Sequence, residues 1–210
     1  MRRLVRFALM ACGCVTLAAA AETEARLMRF PDISKTQVVF TYAGDLWTAP
    51  RAGGPAQRLT AHPGDEMFAK FSPDGKWIAF TGEYDGNMDV YVIPSTGGEP
   101  KRLTFHPGQD GVLGWTPDGK KILFRSTRAS APPDFTKLLL ISPEGGIPEM
   151  LQVPRASLTS FSPDGQKIAY NTTSQEFRTW KRYRGGWTNY ISLFDLKTNA
   201  LRPDGWTSAD

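Results

Sequence analysis

A unit of about 44 residues recurs along this chain, and it limits the possible folds more than any other feature. Phe71-Ser72-Pro73-Asp74-Gly75-Lys76 returns as Trp115-Thr116-Pro117-Asp118-Gly119-Lys120 and again as Phe161-Ser162-Pro163-Asp164-Gly165-Gln166, at steps of 44 and 46 residues. A degenerate copy, Phe30-Pro31-Asp32-Ile33-Ser34-Lys35, is read 41 residues upstream of the first. Each copy leads into an apolar run: Val38-Val39-Phe40, Ile78-Ala79-Phe80, Ile122-Leu123-Phe124 and Ile168-Ala169-Tyr170. A second run follows, as in Asp89-Val90-Tyr91-Val92-Ile93 and Leu138-Leu139-Leu140-Ile141. Three units then carry a Gly-Gly turn, and the first two close on Arg58-Leu59-Thr60 and Arg102-Leu103-Thr104.

Proline pre-sets φ in a tight turn, and Asp-Gly supplies the polar side chain and positive φ that come next, so each Pro-Asp-Gly is a hairpin turn. The flanking runs are short, rich in β-branched and aromatic residues, and nearly continuous. Strands buried on both faces have that pattern. Four such strands per period, without helical periodicity, predict an all-β chain folded as a β-propeller. The blades fall at about 27–60, 67–104, 112–151 and 157–202. Large aromatics on the strands suit a ring wider than four blades. Pro203–Asp210 holds no strand that would close the first blade, so the expectation is an incomplete ring.

The N-terminus has a different character. Arg2, Arg3 and Arg6 precede an uncharged apolar stretch from Phe7 to Ala20, and Ala19-Ala20-Ala21 meets Glu22-Thr23-Glu24. This is the pattern of a secretory signal peptide over 1–21, too short to span a bilayer, and it predicts a periplasmic or secreted protein without a membrane span. Lipidation at Cys12 is the alternative. Cys12 and Cys14 are the only cysteines, so a mature chain cut after Ala21 has no disulfide and no cysteine nucleophile. The sequence pI of about 9.1 does not imply nucleic-acid binding, because removal of the three arginines takes the formal charge from +4 to +1.

The repeat resembles the TolB-like propeller unit. Thr41-Tyr42-Ala43-Gly44-Asp45-Leu46-Trp47, the segment from Gly82 to Tyr91, Gly114 to Gly119, and Trp180-Lys181-Arg182-Tyr183-Arg184-Gly185-Gly186 resemble, more narrowly, bacterial tricorn-type proteases. That resemblance implies an N-terminal six-bladed propeller, of which about four blades are present here, then a seven-bladed one, a PDZ domain and a C-terminal serine peptidase domain. It implies no catalytic residue in this chain. It also implies arginines ahead of the third blade that hold a peptide's terminal carboxylate; the matching loop, Phe105–Gly111, contains none. The partners implied are a peptide or unfolded polypeptide reached through the full-length protein, downstream domains and a homo-oligomer. A TolB-like interaction module, or the propeller of a prolyl-oligopeptidase or amidohydrolase, are the other readings.

The residues offer little chemistry beyond this. His62 and His106 are the only histidines, both in a His-Pro-Gly at the same phase of successive units, which points to a structural role. No nucleophile elbow, zinc-protease or phosphate-loop motif occurs, so no catalytic, cofactor or metal residue is expected. Asp85-Gly86-Asn87-Met88-Asp89 mimics half a calcium loop but lacks the later glycine and glutamate. Asp65, Glu66, Glu83 and Asp110 are read as loop carboxylates on one face of the ring, solvated by preference, with contact to a cation or a peptide amine as the alternative. The candidate contact surface is a long basic, aromatic insert in the fourth unit, carrying Arg178, Trp180, Lys181, Arg182, Tyr183, Arg184 and Trp187. Such residues suit contact with a peptide or a neighbouring domain.

Overall fold

The computed structural model of the chain describes residues 27–130, 135–173 and 190–206. Among these residues sixteen strands form four antiparallel four-stranded sheets, each taken in chain order. Blade 1 contains β1 (Arg29–Ile33), β2 (Gln37–Tyr42), β3 (Asp45–Pro50) and β4 (Gln57–Arg58). Blade 2 contains β5 (Glu66–Phe71), β6 (Trp77–Gly82), β7 (Asp89–Pro94) and β8 (Lys101–Arg102). Blade 3 contains β9 (Asp110–Trp115), β10 (Ile122–Ser126), β11 (Lys137–Ile141) and β12 (Glu149–Met150). Blade 4 contains β13 (Thr159–Phe161), β14 (Lys167–Tyr170), β15 (Ile191–Asp195) and β16 (Ala200–Trp206).

The continuous apolar runs have the cause expected of them. Successive side chains of a strand point to opposite faces. In β6, Ile78 and Phe80 pack towards blade 1 with Val39, Leu46 and Ala69, while Ala79 packs towards blade 3 with Val112, Trp115 and Phe124. Phe80 and Phe124 are both fully buried. A third cluster, with Leu123, Leu138, Ile168 and Phe194, joins blade 3 to blade 4. Truncating an aromatic such as Phe80 to alanine would cost about 3–5 kcal/mol at positions like these.

The Pro-Asp-Gly copies form the turns between the first and second strands. In blade 2 the Ser72 hydroxyl donates to Asp74 Oδ1 at 2.7 Å and accepts from the Trp77 amide at 3.0 Å. The amide of Lys76 bonds the same carboxylate oxygen at 3.1 Å. Gly75 has φ of +74°, which a side chain would oppose. The same bonds recur around Asp118 and Asp164. In all three turns the hydroxyl donor, then the backbone amide, holds the aspartate below its ordinary pKa.

The first copy differs from the sequence reading by three residues. Ser34, not Pro31, begins the equivalent turn: its amide donates to the Gln37 carbonyl at 2.8 Å, as that of Ser72 does to Trp77. Asp32 is left inside β1, where its carboxylate accepts the Phe71 amide of blade 2 at 2.8 Å. The blade limits also differ from pattern alone. β5 and β9 start at Glu66 and Asp110, and β16 runs past Pro203 to Trp206, pairing with β15 inside blade 4.

The innermost strands β1, β5, β9 and β13 follow one another, each packed on the next. Among the described residues no comparable packing joins blade 4 to blade 1, so the four blades form an open arc. Ile33 at one end, 57% exposed, and Ile191 and Leu201 at the other, each 50% exposed, lie on blades with one uncovered face. No helix among the described residues is long and apolar enough to cross a membrane.

Candidate functional site

The polar groups with the strongest local chemistry lie where one blade meets the next. Glu66 opens β5 and is fully buried. Its Oε2 accepts the Leu46 amide at 3.0 Å and the Thr60 hydroxyl, both from blade 1. Its Oε1 accepts the Tyr84 hydroxyl at 2.6 Å, from the loop between β6 and β7. The Thr41 hydroxyl donates to the Glu66 carbonyl at 2.9 Å, and the Glu66 amide donates to Gly44. Burial raises the Glu66 pKa, against the opposing pull of the bonds from Thr60, Tyr84 and Leu46. Burial and the facing carboxylate raise that of Tyr84.

Asp110 holds the same place between blades 2 and 3. It is 1% exposed, and its Oδ2 pairs with Arg128 at 2.5 Å, a residue of the loop that follows β10. Burial raises its pKa, and the Arg128 charge opposes the rise. These two acids correct the sequence reading, which took them for solvated loop carboxylates. Asp65 remains exposed and Glu83 half-buried.

A second set of polar groups recurs 44 residues apart: Asp45, Arg58 and Thr60 in blade 1, and Asp89, Arg102 and Thr104 in blade 2. The pairs Asp45–Arg58 and Asp89–Arg102 tie the start of the third strand to the fourth, at 2.7 and 2.6 Å. Thr60 and Thr104 each accept the amide of the residue after the aspartate, Leu46 or Val90, at 2.9 Å. Sequence reasoning missed this set, although its exact 44-residue recurrence was there to find. The half calcium loop is explained by it: Arg102 bridges Asp85 at 2.7 Å and Asp89 at 2.6 Å, so a guanidinium occupies both carboxylates. Among the described residues no cluster of three or more acids, histidines or cysteines could hold a metal ion.

Each histidine folds onto its own tripeptide. Nδ1 of His62 accepts the Gly64 amide at 3.0 Å, and Nδ1 of His106 accepts the Gly108 amide at 2.8 Å. His62 also lies against the Tyr84 ring, with centroids 4.0 Å apart. Among the described residues no serine, threonine or lysine side chain bonds either histidine, so no nucleophile–base pair is formed.

The loop between second and third strands lengthens around the arc, from two residues in blade 1 to six, ten and twenty in blades 2, 3 and 4. The candidate contact residues Arg178, Trp180, Lys181, Arg182, Tyr183, Arg184 and Trp187 belong to the last of these loops and lie outside the described residues, as does segment 1–21, which the sequence reading took for a signal peptide. What the described residues do offer is a cleft of about 650 Å³ between blades 1 and 2. Arg58, His62, Tyr84 and Arg102 line it.

Comparison with known proteins agrees with this architecture. Residues 25–204 match the tricorn protease N-terminal β-propeller domain. The chain is 36% identical over 168 residues to tricorn protease homolog 1 of Streptomyces coelicolor, covering 76% of this chain and 15% of the relative. It therefore spans a small part of that relative's length. Among solved structures, the tricorn protease superposes with a TM-score of 0.73 at 25% identity, over 84% of this chain and 18% of that one. A putative TolB from Agrobacterium tumefaciens superposes with a TM-score of 0.65 at 22% identity, over 87% of this chain and 62% of that one. The oligogalacturonate lyase fold is more distant, with a TM-score of 0.55 at 15% identity. By domain match, sequence identity and blade geometry together, the chain belongs to the tricorn protease N-terminal β-propeller family.

Proposed function

We propose that this propeller is the non-catalytic peptide-access scaffold of an exported tricorn-like serine peptidase, with further blades completing the ring to six. The observation that carries the reading is the use made of the reactive groups. Glu66, Asp110, His62 and His106 are all engaged in bonds that fix blades or loops, which leaves the described residues a framework without a nucleophile–base pair. The charged, then apolar, then small-residue N-terminus supports export to the periplasm or beyond.

On this reading the basic aromatic insert supplies contacts to the peptide. Arginine offers a planar donor fork suited to carboxylates, and the neighbouring aromatics can stack on side chains. The test is a double variant, Arg182→Gln with Arg184→Gln, in the full-length protein. Peptide turnover is expected to fall about tenfold or more while the unfolding midpoint stays unchanged. Intact turnover per folded molecule, with lowered stability, would assign the insert to domain packing instead. A TolB-like interaction module is the second reading, supported by the superposition over 62% of the TolB chain. It would show no peptide turnover in the full-length protein at all.

A further inference from the structure

The two repeats of the aspartate–arginine–threonine set are equal in sequence spacing but not in coordination. In blade 2 every nitrogen of the Arg102 guanidinium has a partner: Nε donates to the Thr104 carbonyl at 2.9 Å, Nη1 to Asp85 at 2.7 Å and Nη2 to Asp89 at 2.6 Å. Asp89 is equally satisfied, with Thr104 on Oδ1 and Arg102 and Asn87 on Oδ2. In blade 1 the Arg58 guanidinium has one partner among the described residues, Asp45, and its side chain is 48% exposed against 25% for Arg102.

The reason lies in the loops. Asp85 comes from the six-residue loop between β6 and β7, whereas blade 1 joins β2 to β3 through Ala43-Gly44 alone and supplies no second carboxylate. Thr60 is also diverted: its hydroxyl goes to Glu66, whereas Thr104 serves Asp89, and Asp45 Oδ1 is left buried without a partner. Arg58 lines the cleft of about 650 Å³ between blades 1 and 2, with His62 and Tyr84 as an aromatic wall.

We propose that this cleft is a carboxylate-binding site in which an acidic group of a peptide or protein segment takes, on Arg58, the place that Asp85 takes on Arg102. An arginine fork with one edge held by a buried aspartate is oriented before the ligand arrives, and its remaining donors match a carboxylate. Lysine cannot reproduce the fork, because it carries a single point charge. Asp85 and Glu99, which also line the cleft, oppose a further negative charge and tune the affinity downward. The proposal does not depend on the peptidase reading.

Isothermal titration calorimetry on the full chain tests it with three unlabelled pentapeptides: one with an internal glutamate and amidated C-terminus, one without acids but with a free C-terminus, and one with glutamine and an amide. Saturable binding of the first or second, at least tenfold tighter than the third, is expected. Whichever binds more tightly identifies a side-chain or a terminal carboxylate as the source. Arg58→Lys should weaken the preferred peptide about tenfold and leave the neutral one unchanged, and Asp85→Asn should tighten it. Equal binding of all three peptides by the unaltered protein would overturn the proposal without recourse to any variant. So would an unchanged affinity in a folded Arg58→Lys protein.

Discussion

Replacing Glu66 by alanine removes the acceptor on which blade 1 and the β6–β7 loop converge. Of its three donors, the Leu46 amide keeps the Thr60 oxygen at 2.9 Å, but the Thr60 and Tyr84 hydroxyls each lose a charged acceptor. Bonds to charged groups contribute about 1.5–3 kcal/mol each, so the gross loss is about 3–6 kcal/mol. Relief of the carboxylate's desolvation offsets part of this and leaves about 2–4 kcal/mol. Glu66→Gln should behave differently. Its amide oxygen can accept from Leu46 and Thr60 while its nitrogen donates to the Tyr84 oxygen, for a cost within about 1 kcal/mol. Urea unfolding followed by circular dichroism, at low micromolar protein, measures both.

The sign of the pH dependence separates charge from shape. The folded-state pKa of Glu66 is raised, so the folded chain binds a proton before the unfolded chain does. Stability should therefore rise as pH falls through the raised value towards the ordinary 4.5, and Glu66→Gln should lose that share of the slope. Asp110, also raised, keeps a remainder of the same sign. Alanine within about 0.5 kcal/mol of the parent, glutamine as costly as alanine, or an unaltered slope in the glutamine variant would refute the reasoning.

Three further outcomes follow from the same geometry. A Cβ at Gly64 would lie 1.9 Å from the Glu83 carbonyl oxygen, a backbone atom, so Gly64→Ala should cost at least about 3 kcal/mol in the same unfolding assay. At Gly75 the nearest atom would be an ordinary 3.7 Å away, so Gly75→Ala should cost only the about 1–2 kcal/mol of a positive φ, and a larger loss would show that space, not φ, matters there. Open blade faces at both ends of the arc should make the isolated chain self-associate in sedimentation experiments, and a sharply unfolding monomer would contradict the open arc.

How much of this was legible in the sequence depended on how local the cause was. The Pro-Asp-Gly turns were readable because every bond in them closes within five residues, from Ser72 to Trp77. The blades followed from their spacing. Glu66 was misread because its partners, Leu46 and Thr60, stand in the preceding blade, and nothing in Asp65-Glu66 itself distinguishes a buried acid from a solvated one. The same holds for Asp110, which is neutralised by Arg128 from 18 residues further along. The shifted first copy deceived for another reason. Pro31-Asp32 imitates the turn, but Asp32 serves the neighbouring blade, and Ser34 makes the turn by itself. The unequal settings of Arg58 and Arg102 depend on loop length, which the repeat itself conceals.

The most direct test of the central claim is peptide hydrolysis by the purified chain and by the full-length protein, each with and without His62→Ala and His106→Ala. The account requires no turnover by the chain alone, and turnover by the full-length protein that survives both substitutions per folded molecule. Hydrolysis by the chain alone, abolished by either substitution while the fold persists, would contradict it.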